Sequence, residues 1–358
     1  MIHLLVNTNN TRNNTMKKTD TFPQSTLLTI PDLQRSLDLL LAMPDAPSAM
    51  IWGPPGVGKS SAVRALAERH GIGLVDLRLG QLAPTDLRGL PVPDHTERRA
   101  AWYPPAFLPR EGRGILFLDE LNLAPPVMQG IAQQLVLDRR VGDYTVPEGW
   151  VVWAAGNRKE DRAAVYEMPA PVANRFVHFE VGAEIEGFRS WAANRGFDEL
   201  LLAFLLFRPE LLHKPDTLSP AWPSPRSWDM ADRMHRAGLS IASAVGQAAA
   251  GEFAAFCKLC ERLPDVDAVL DGKGAAIAFP KEASQRYATI MALALRPREA
   301  PAMRAAARWV GANAGAEWCR LFALTAWDRA RRDGTVGVVA DAFVKEEKLR
   351  PYLHPHAA

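Results

Sequence analysis

Hydrophobic runs of strand length alternate with helix-like segments over the first half of the chain. The strand-like runs are residues 49–52, 73–78, 114–118, 150–155 and 176–181, and the helix-like segments are residues 29–42, 61–70 and 126–137. Strands that alternate with helices indicate a parallel sheet covered by helices on both faces. We therefore predict an α/β domain over residues 25–183.

The pattern changes on either side of this domain. Residues 1–24 are rich in Asn and Thr and have no apolar periodicity, which predicts a disordered leader, and Met16 could be the true translation start. After about residue 185, Ala-, Leu- and Arg-rich segments with helical periodicity dominate, which predicts an all-helical remainder over residues 184–358. Within it, the evenly spaced Trp309, Trp318 and Trp327 are expected to anchor a core.

Composition narrows the class of protein without naming a function. The chain has 358 residues, 48% of them hydrophobic and 23% charged, with a formal net charge of +2, so it lacks the strongly basic balance of many nucleic-acid-binding proteins. Its longest apolar run, residues 200–207, is too short to span a bilayer, and no secretory signal is visible at the start. With three cysteines, we expect a cytoplasmic protein. Cys257 and Cys260 form a lone C-x-x-C, interpreted as two small residues on a helix.

Residues 53–60 match the phosphate-binding pattern G-x-x-x-x-G-K-[ST], between a strand-like run and a helix-like one. In this pattern glycines let backbone N–H groups surround phosphates, the lysine reaches the β- and γ-phosphates, and the hydroxyl ligates Mg²⁺ at a helix N-terminus. We therefore predict nucleotide binding. The predicted binding residues are Gly53, Pro54, Pro55, Gly56, Val57, Gly58, Lys59, Ser60, Ser61 and Asp119.

Two carboxylates end the apolar run that begins at residue 114. Strands of open α/β sheets deliver their carboxyl ends to the ligand crevice, so Asp119 and Glu120 are expected beside the phosphates. Asp119 would share the Mg²⁺ with Ser60, and Glu120 would orient or deprotonate the attacking water. Alone, such a pair could equally be solvated acids at a strand end. Its place downstream of a complete phosphate loop favours the functional interpretation.

Three further polar residues have two interpretations each. Asn157 follows the run at residues 150–155 and could contact a γ-phosphate or the attacking water, or could simply form a turn after a glycine. Arg175 could be a solvated charge or an arginine finger that reaches the site of a neighbouring subunit. Arg226 stands at a predicted helix start, where the helix dipole disfavours a cation, so an anionic partner is plausible beside the simpler solvated state.

Taken in order, these residues resemble the AAA+ ATPases of the MoxR-like group. The sequences of residues 174–176 and 223–228 look more like phage-type or mobile-element relatives than like the founding members. The strongest local match is residues 118–129, where Leu-Asp-Glu-Leu-Asn-Leu-Ala-Pro-Pro precedes a helix that carries Gln129. Residues 85–89 resemble the segment before the helix-2 insert of this family, and residues 134–147 resemble the hairpin before its first sensor. The resemblance spans about residues 35–240.

The resemblance implies specific roles. Asn157 would be the sensor-1 residue, Arg175 a finger that acts in trans, and Arg226 the sensor-2 residue of a helical lid over residues 184–240, followed by a helical extension over residues 241–358. It further implies a homo-oligomeric ring, expected to be a hexamer, with ATP and Mg²⁺ bound between subunits. Members often remodel client proteins beside a partner that carries a von Willebrand factor A domain.

Two departures from the family pattern bear on the partner. Arg158 and Lys159 follow Asn157 where the family usually has Asn-Pro, and Leu123 stands where a basic residue is common. The catalytic set is complete, so we predict Mg²⁺-dependent ATP hydrolysis by a ring-forming motor that remodels or activates a partner protein. The alternatives are a nucleic-acid-directed motor, against which the near-neutral charge argues, and a nucleotide-gated binding scaffold.

Overall fold

A five-stranded parallel sheet organises the first half of the protein. The computed structural model describes residues 27–158, 165–216, 218–260 and 264–353, and the predicted leader at residues 1–24 lies outside them. The strands of the sheet are β1 Ala49–Trp52, β2 Gly73–Arg78, β5 Gly114–Asp119, β8 Trp150–Gly156 and β9 Val177–Glu180. They lie in the order β2-β5-β8-β1-β9. The predicted parallel α/β fold is confirmed.

Helices cover the sheet on both faces because its strands are apolar on both sides. Strand β5 is buried along its whole length, with Ile115 and Phe117 facing one apolar cluster and Leu116 and Leu118 facing the other. One face is covered by α1 (Ile30–Leu41) and α2 (Lys59–His70), and the other by α3 (Pro84–Arg88), α4 (Pro126–Leu137) and α5 (Ala170–Ala173). Helix α1 begins where predicted, since the Thr29 hydroxyl accepts a hydrogen bond from the backbone N–H of Asp32 at 3.2 Å.

Two hairpins stand outside the main sheet. Strand β3 (Leu90–Asp94) pairs antiparallel with β4 (Arg99–Tyr103), and β6 (Arg140–Val141) pairs with β7 (Tyr144–Thr145). The second hairpin agrees with the family resemblance. The first was not predicted from the sequence, because Pro91 and Pro93 mask the strand pattern. Such prolines are tolerated at an edge, where no further strand needs their N–H groups.

The rest of the described chain is helical, as predicted. Its helices are α6 Ile185–Arg195, α7 Glu199–Phe207, α8 Pro225–Arg236, α9 Ala242–Val245, α10 Gln247–Cys260, α11 Val266–Leu270, α12 Ala283–Leu295, α13 Ala300–Asn313, α14 Ala316–Asp333 and α15 Val336–Val344. None of the described helices is long and apolar enough to cross a bilayer.

Two apolar clusters hold the helical part together. One joins α6–α10 and also takes in Tyr287, Met291 and Leu295 of α12, so packing continues across the predicted boundary at residue 240. The other is built mainly from α12–α15 and buries Trp309 and Trp327, with Trp318 partly buried against both. The prediction that these tryptophans anchor a core is confirmed.

Candidate functional site

The phosphate loop connects β1 to the first turn of α2, at the carboxyl end of the sheet. Gly56 and Gly58 adopt φ angles of 80° and 107°, a left-handed backbone conformation that residues other than glycine rarely adopt. These turns place the loop in front of the N-terminus of α2, the position in which backbone N–H groups can bind phosphate. Val57 is buried under the loop, whereas Ser61 is exposed on the first turn of the helix.

Lys59 lies almost buried at the centre of the loop, with an exposed fraction of 8%. Its ammonium donates hydrogen bonds to the carbonyls of Gly53 at 2.6 Å and Pro54 at 3.0 Å, and to the Oδ1 atom of Asn157 at 2.9 Å. Oxygen atoms therefore surround the charge and hold it where a phosphate would lie. A phosphate oxygen can replace these acceptors, because the ammonium donates hydrogen bonds without a fixed planar geometry.

Ser60 and Asp119 meet as the sequence predicts for a metal pair. The Ser60 hydroxyl donates to Oδ2 of Asp119 at 2.6 Å, and Oδ1 of the same carboxylate accepts from the backbone N–H of Glu120 at 2.9 Å. Asp119 is nearly buried at the end of β5. Hydroxyl and carboxylate oxygens are the ligands that Mg²⁺ prefers, and it commonly binds through one or two protein oxygens plus substrate phosphates, so this pair fits the ion.

Glu120 leaves the strand in an unusual backbone conformation. Its φ angle is 58°, one of three positive values among non-glycine residues in the described chain. Residues held in this region cluster at active sites, where the surrounding structure fixes them. The carboxylate is half-buried, and its Oε2 lies 3.8 Å from the position that a Cβ atom would take at Gly80, after β2. Glu120 therefore follows the end of β5 with its carboxylate near Gly80.

A third carboxylate increases the negative potential near Asp119. Burial, followed by the charge of Asp119, raises the pKa of Asp76 on β2, and Arg64 and Arg78 partly oppose the shift. Arg64 pairs with Asp76 at 3.0 Å. Burial is the larger cause of the raised pKa of Asp76, and the charge of Asp119 adds to it, so the two carboxylates interact between β2 and β5.

Asn157 is fixed by a neighbour that the sequence analysis did not assign. The Asn122 side chain, 3% exposed, accepts from the backbone N–H of Asn157 at 3.1 Å and donates to its carbonyl at 2.7 Å. A Cβ atom at Gly156 would lie 2.4 Å from Oδ1 of Asn122, so glycine is required there. The one signal in the sequence was a lone polar residue between Leu121 and Leu123, directly after the two acids.

The start of α8 reaches the phosphate loop. The backbone N–H of Arg226 donates to the carbonyl of Gly56 at 3.2 Å, while the Arg226 side chain is exposed. The Ser224 hydroxyl accepts from the N–H of Ser227 at 3.1 Å, which caps the helix. It lies 3.1 Å from the position that a Cβ atom would take at Gly56. The predicted lid therefore contacts the phosphate loop through the capped N-terminus of α8.

Arg175 lies apart from the phosphate loop. It is exposed in the turn between α5 and β9, before the amino end of the edge strand. Since Ala49 pairs with Val177 and Trp52 with Glu180, the length of β1, about 10 Å, separates this turn from the phosphate loop. Within the described residues of one chain, Arg175 is therefore separate from the phosphate loop.

The C-x-x-C pair lies on α10, where Cys257 is partly buried and Cys260 is the last residue. Among the described residues, no group of three or more His, Cys, Asp or Glu is placed to hold a metal. The structure agrees with the prediction of two residues on a helix.

Several solved structures are similar to this chain at low identity. NtrX from Brucella abortus is 17% identical, with a TM-score of 0.38, over 92% of this chain and 68% of that one. A putative ATPase from Cytophaga hutchinsonii is 13% identical, with a TM-score of 0.33, over 87% and 89%. A RuvB mutant from Thermotoga maritima is 14% identical, with a TM-score of 0.35, over 91% and 87%.

A sequence family gives the more specific result. Residues 49–161 match the family described as ATPase family associated with various cellular activities (AAA). This segment begins with β1 and includes the phosphate loop, both acids, Asn122 and Asn157. The chain therefore contains an AAA ATPase domain over residues 49–161.

Proposed function

We propose that this protein is a Mg²⁺-dependent ATPase of the MoxR-like group, which assembles as a homo-oligomeric ring and remodels or activates a partner protein. One observation carries the proposal. Lys59, Ser60, Asp119 and Asn157 converge at the carboxyl end of the sheet, whereas Arg175 lies exposed beyond its amino end. A site divided in this way is completed when a second copy supplies the arginine.

Each residue at the carboxyl end has a role that its surroundings support. Lys59 would exchange loop carbonyls for oxygens of the β- and γ-phosphates. Ser60 and Asp119 would hold Mg²⁺, which supplies charge neutralisation for the phosphates when bound. Glu120, turned out of its strand, would orient the attacking water and accept its proton.

The remaining residues would respond to the phosphates. Asn157 lies 2.9 Å from Lys59, so its amide can follow a change in the position of the ammonium. Arg226 would place its exposed guanidinium over the nucleotide when the lid closes on the loop. Arg175 of one subunit would stabilise the transition-state charge at the site of the next, and the family resemblance favours a hexamer for this assembly.

The test of the divided site is Arg175→Ala, compared with Arg35→Ala as an exposed control on α1. We expect Arg175→Ala to bind ATP within about twofold of wild type and to lose about 10³-fold in kcat, the scale of arginine-finger losses. Calorimetry measures binding, phosphate release measures turnover, and light scattering measures assembly. Wild-type turnover in assembled Arg175→Ala would refute the trans arrangement.

A second experiment separates the partner classes. Glu120→Gln held in ATP should retain a protein partner, with a von Willebrand factor A-domain protein as the first candidate, whereas Lys59→Ala should retain none. ATP turnover that rises with DNA and falls steeply with salt would indicate a nucleic-acid motor instead. ATP-dependent capture without displacement during turnover would indicate a scaffold.

A further inference from the structure

A short polar chain joins the strand before the phosphate loop to the turn that carries Arg175. The indole Nε1–H of Trp52 donates to Nδ1 of His178 at 2.8 Å, and Nε2 of His178 lies 2.8 Å from the carbonyl oxygen of Ala173. The Trp52 and His178 rings are nearly parallel, with an interplanar angle of 9° and centroids 6.1 Å apart. One histidine therefore spans the gap between two separate elements.

The partners of His178 define how it is protonated. An indole N–H can only donate, so Nδ1 of His178 must be the acceptor. The carbonyl of Ala173 can only accept, so Nε2 must carry the proton. The neutral imidazole with its proton on Nε2 satisfies both contacts at once, because its acceptor and its donor are separate ring nitrogens.

The two ends of this chain are placed at functional positions. Trp52 is the last residue of β1 and directly precedes Gly53 of the phosphate loop. Ala173 is the last residue of α5, two positions before Arg175. Its carbonyl also accepts from the N–H of Phe176 at 3.2 Å, and the ring of Phe176 meets His178 edge-on with centroids 6.3 Å apart. His178 thus contacts the Arg175 turn on both sides of the arginine.

The Arg175 turn follows the four-residue helix α5. The N–H groups of Arg175 and Phe176 donate to the carbonyls of Val172 at 3.1 Å and Ala173 at 3.2 Å, and His178 adds a contact from outside the helix. His178 lies on β9, whose register with β1 is fixed by four residue pairs. His178 therefore links the paired strands β1 and β9 to the exposed turn that carries Arg175.

We propose that His178 is a positioning residue that holds Arg175 for the active site of a neighbouring subunit. This inference rests on the proposed trans role of Arg175. Its consequence is that His178→Ala leaves the nucleotide site of its own chain intact and weakens catalysis at the site of the neighbour. Loss of the link should lower kcat about 2- to 10-fold, the effect of one or two hydrogen bonds, with KM and ATP affinity within about twofold.

Mixed assemblies distinguish this from a role within one chain. Glu120→Gln subunits are inactive at their own sites but carry an intact Arg175 turn. His178→Ala subunits are mixed with increasing amounts of Glu120→Gln, and wild type mixed in the same ratios measures the effect of inactive neighbours alone. We expect the turnover of His178→Ala, relative to wild type, to rise toward one as Glu120→Gln subunits surround it. A constant ratio would overturn the inference.

The same mixtures made with Arg175→Ala keep the two proposals apart. If Arg175→Ala recovers and His178→Ala does not, the positioning role fails and the trans finger stands. If neither recovers, the trans finger itself fails.

A second pair of variants guards against a folding defect in His178→Ala. Trp52→Phe keeps an aromatic ring but replaces the indole and so removes its N–H donor, and we expect it to lower kcat in the same direction. His178→Gln restores an acceptor and a donor on one side chain and should recover part of the turnover. Unchanged kcat in both His178→Ala and Trp52→Phe would overturn the proposal, whatever the mixtures show.

Discussion

The two ends of the central sheet are organised in opposite ways. At the carboxyl end, Lys59, Asp119 and Asn157 are each 8% exposed and hydrogen-bonded to one another or to the phosphate loop. At the amino end, Arg175 is exposed on a turn whose Ala173 carbonyl contacts His178. Parallel strands place all their carboxyl ends at one edge, so one chain can assemble most of the site but cannot bring Arg175 to it.

This difference separates side chains whose positions are fixed by the fold of one chain from Arg175, whose role depends on assembly. Side chains at the carboxyl end are held by hydrogen bonds within the chain, which favours electrostatic stabilisation with little reorganisation. At the amino end, the exposed Arg175 would gain a partner from another molecule in the proposed trans arrangement. Variants at the carboxyl end should therefore affect binding, metal use or stability in every state, whereas variants at the amino end should act through neighbours.

The largest effect on ATP affinity is expected for Lys59→Ala. Removing the ammonium deletes the only cation placed among the loop oxygens in the described chain, so the Kd for ATP should rise about 100-fold or more, as expected for lost charge-assisted hydrogen bonds. Calorimetry measures the Kd, with the exposed Lys281→Ala as control. ATP affinity close to wild type in Lys59→Ala would contradict the comparison between the two ends of the sheet, because only Arg175→Ala is expected to keep that affinity.

Asn122→Ala tests whether the carboxyl end is held within the chain. It leaves the N–H and carbonyl of Asn157 buried without partners, at a cost of about 1–3 kcal/mol in the free energy of unfolding. With Asn157 displaced, we expect kcat to fall about tenfold. Urea unfolding and phosphate release measure the two effects. Asn313→Ala, which breaks one side-chain hydrogen bond on α13, should leave kcat unchanged.

Ser224→Ala addresses the lid. Loss of this helix cap costs about 1 kcal/mol, and it loosens the segment whose Arg226 N–H meets Gly56. We expect the Kd for ATP to rise about threefold to fivefold and the assembly to be unaffected. Nucleotide titration and light scattering measure these quantities, with Ser240→Ala as an exposed control. A changed assembly with unchanged Kd would place Ser224 at a subunit interface instead.

The smallest effect is expected for Asp76→Asn and depends on pH. The pKa of Asp76 is raised above its usual 3.8, first by burial and then by Asp119, so the folded state holds the proton to a higher pH than the unfolded chain. Wild type therefore loses stability as the pH rises from 3.8 through the folded-state pKa. Asp76→Asn should gain stability relative to wild type over the same range. Urea unfolding at pH 4 and pH 7 measures this, and equal differences at both values would contradict it.

The sequence predicted the carboxyl end of the sheet better than the amino end, for a local reason. The phosphate loop is a contiguous motif, and Asp119 and Glu120 end a buried strand, so their positions follow from strand-and-loop order. The β3–β4 hairpin escaped prediction because Pro91 and Pro93 conceal its pairing. Asn122 was not assigned a role because its partner, Asn157, lies 35 residues away in the sequence. Ser224 was not assigned a role because its neighbour Gly56 belongs to the phosphate loop, far away in the sequence.

By itself, the amino-acid sequence determined the parallel α/β fold, the phosphate loop and the identity of the residues around it, because alternating hydrophobic runs and a short motif are properties of neighbouring residues. Only the tertiary structure decided which of these residues meet. Strand order brings Asn157 to Lys59 and Asp119 to Ser60, while β9 carries Arg175 to the opposite end. Such contacts depend on sheet order and register, which no local pattern in the chain encodes.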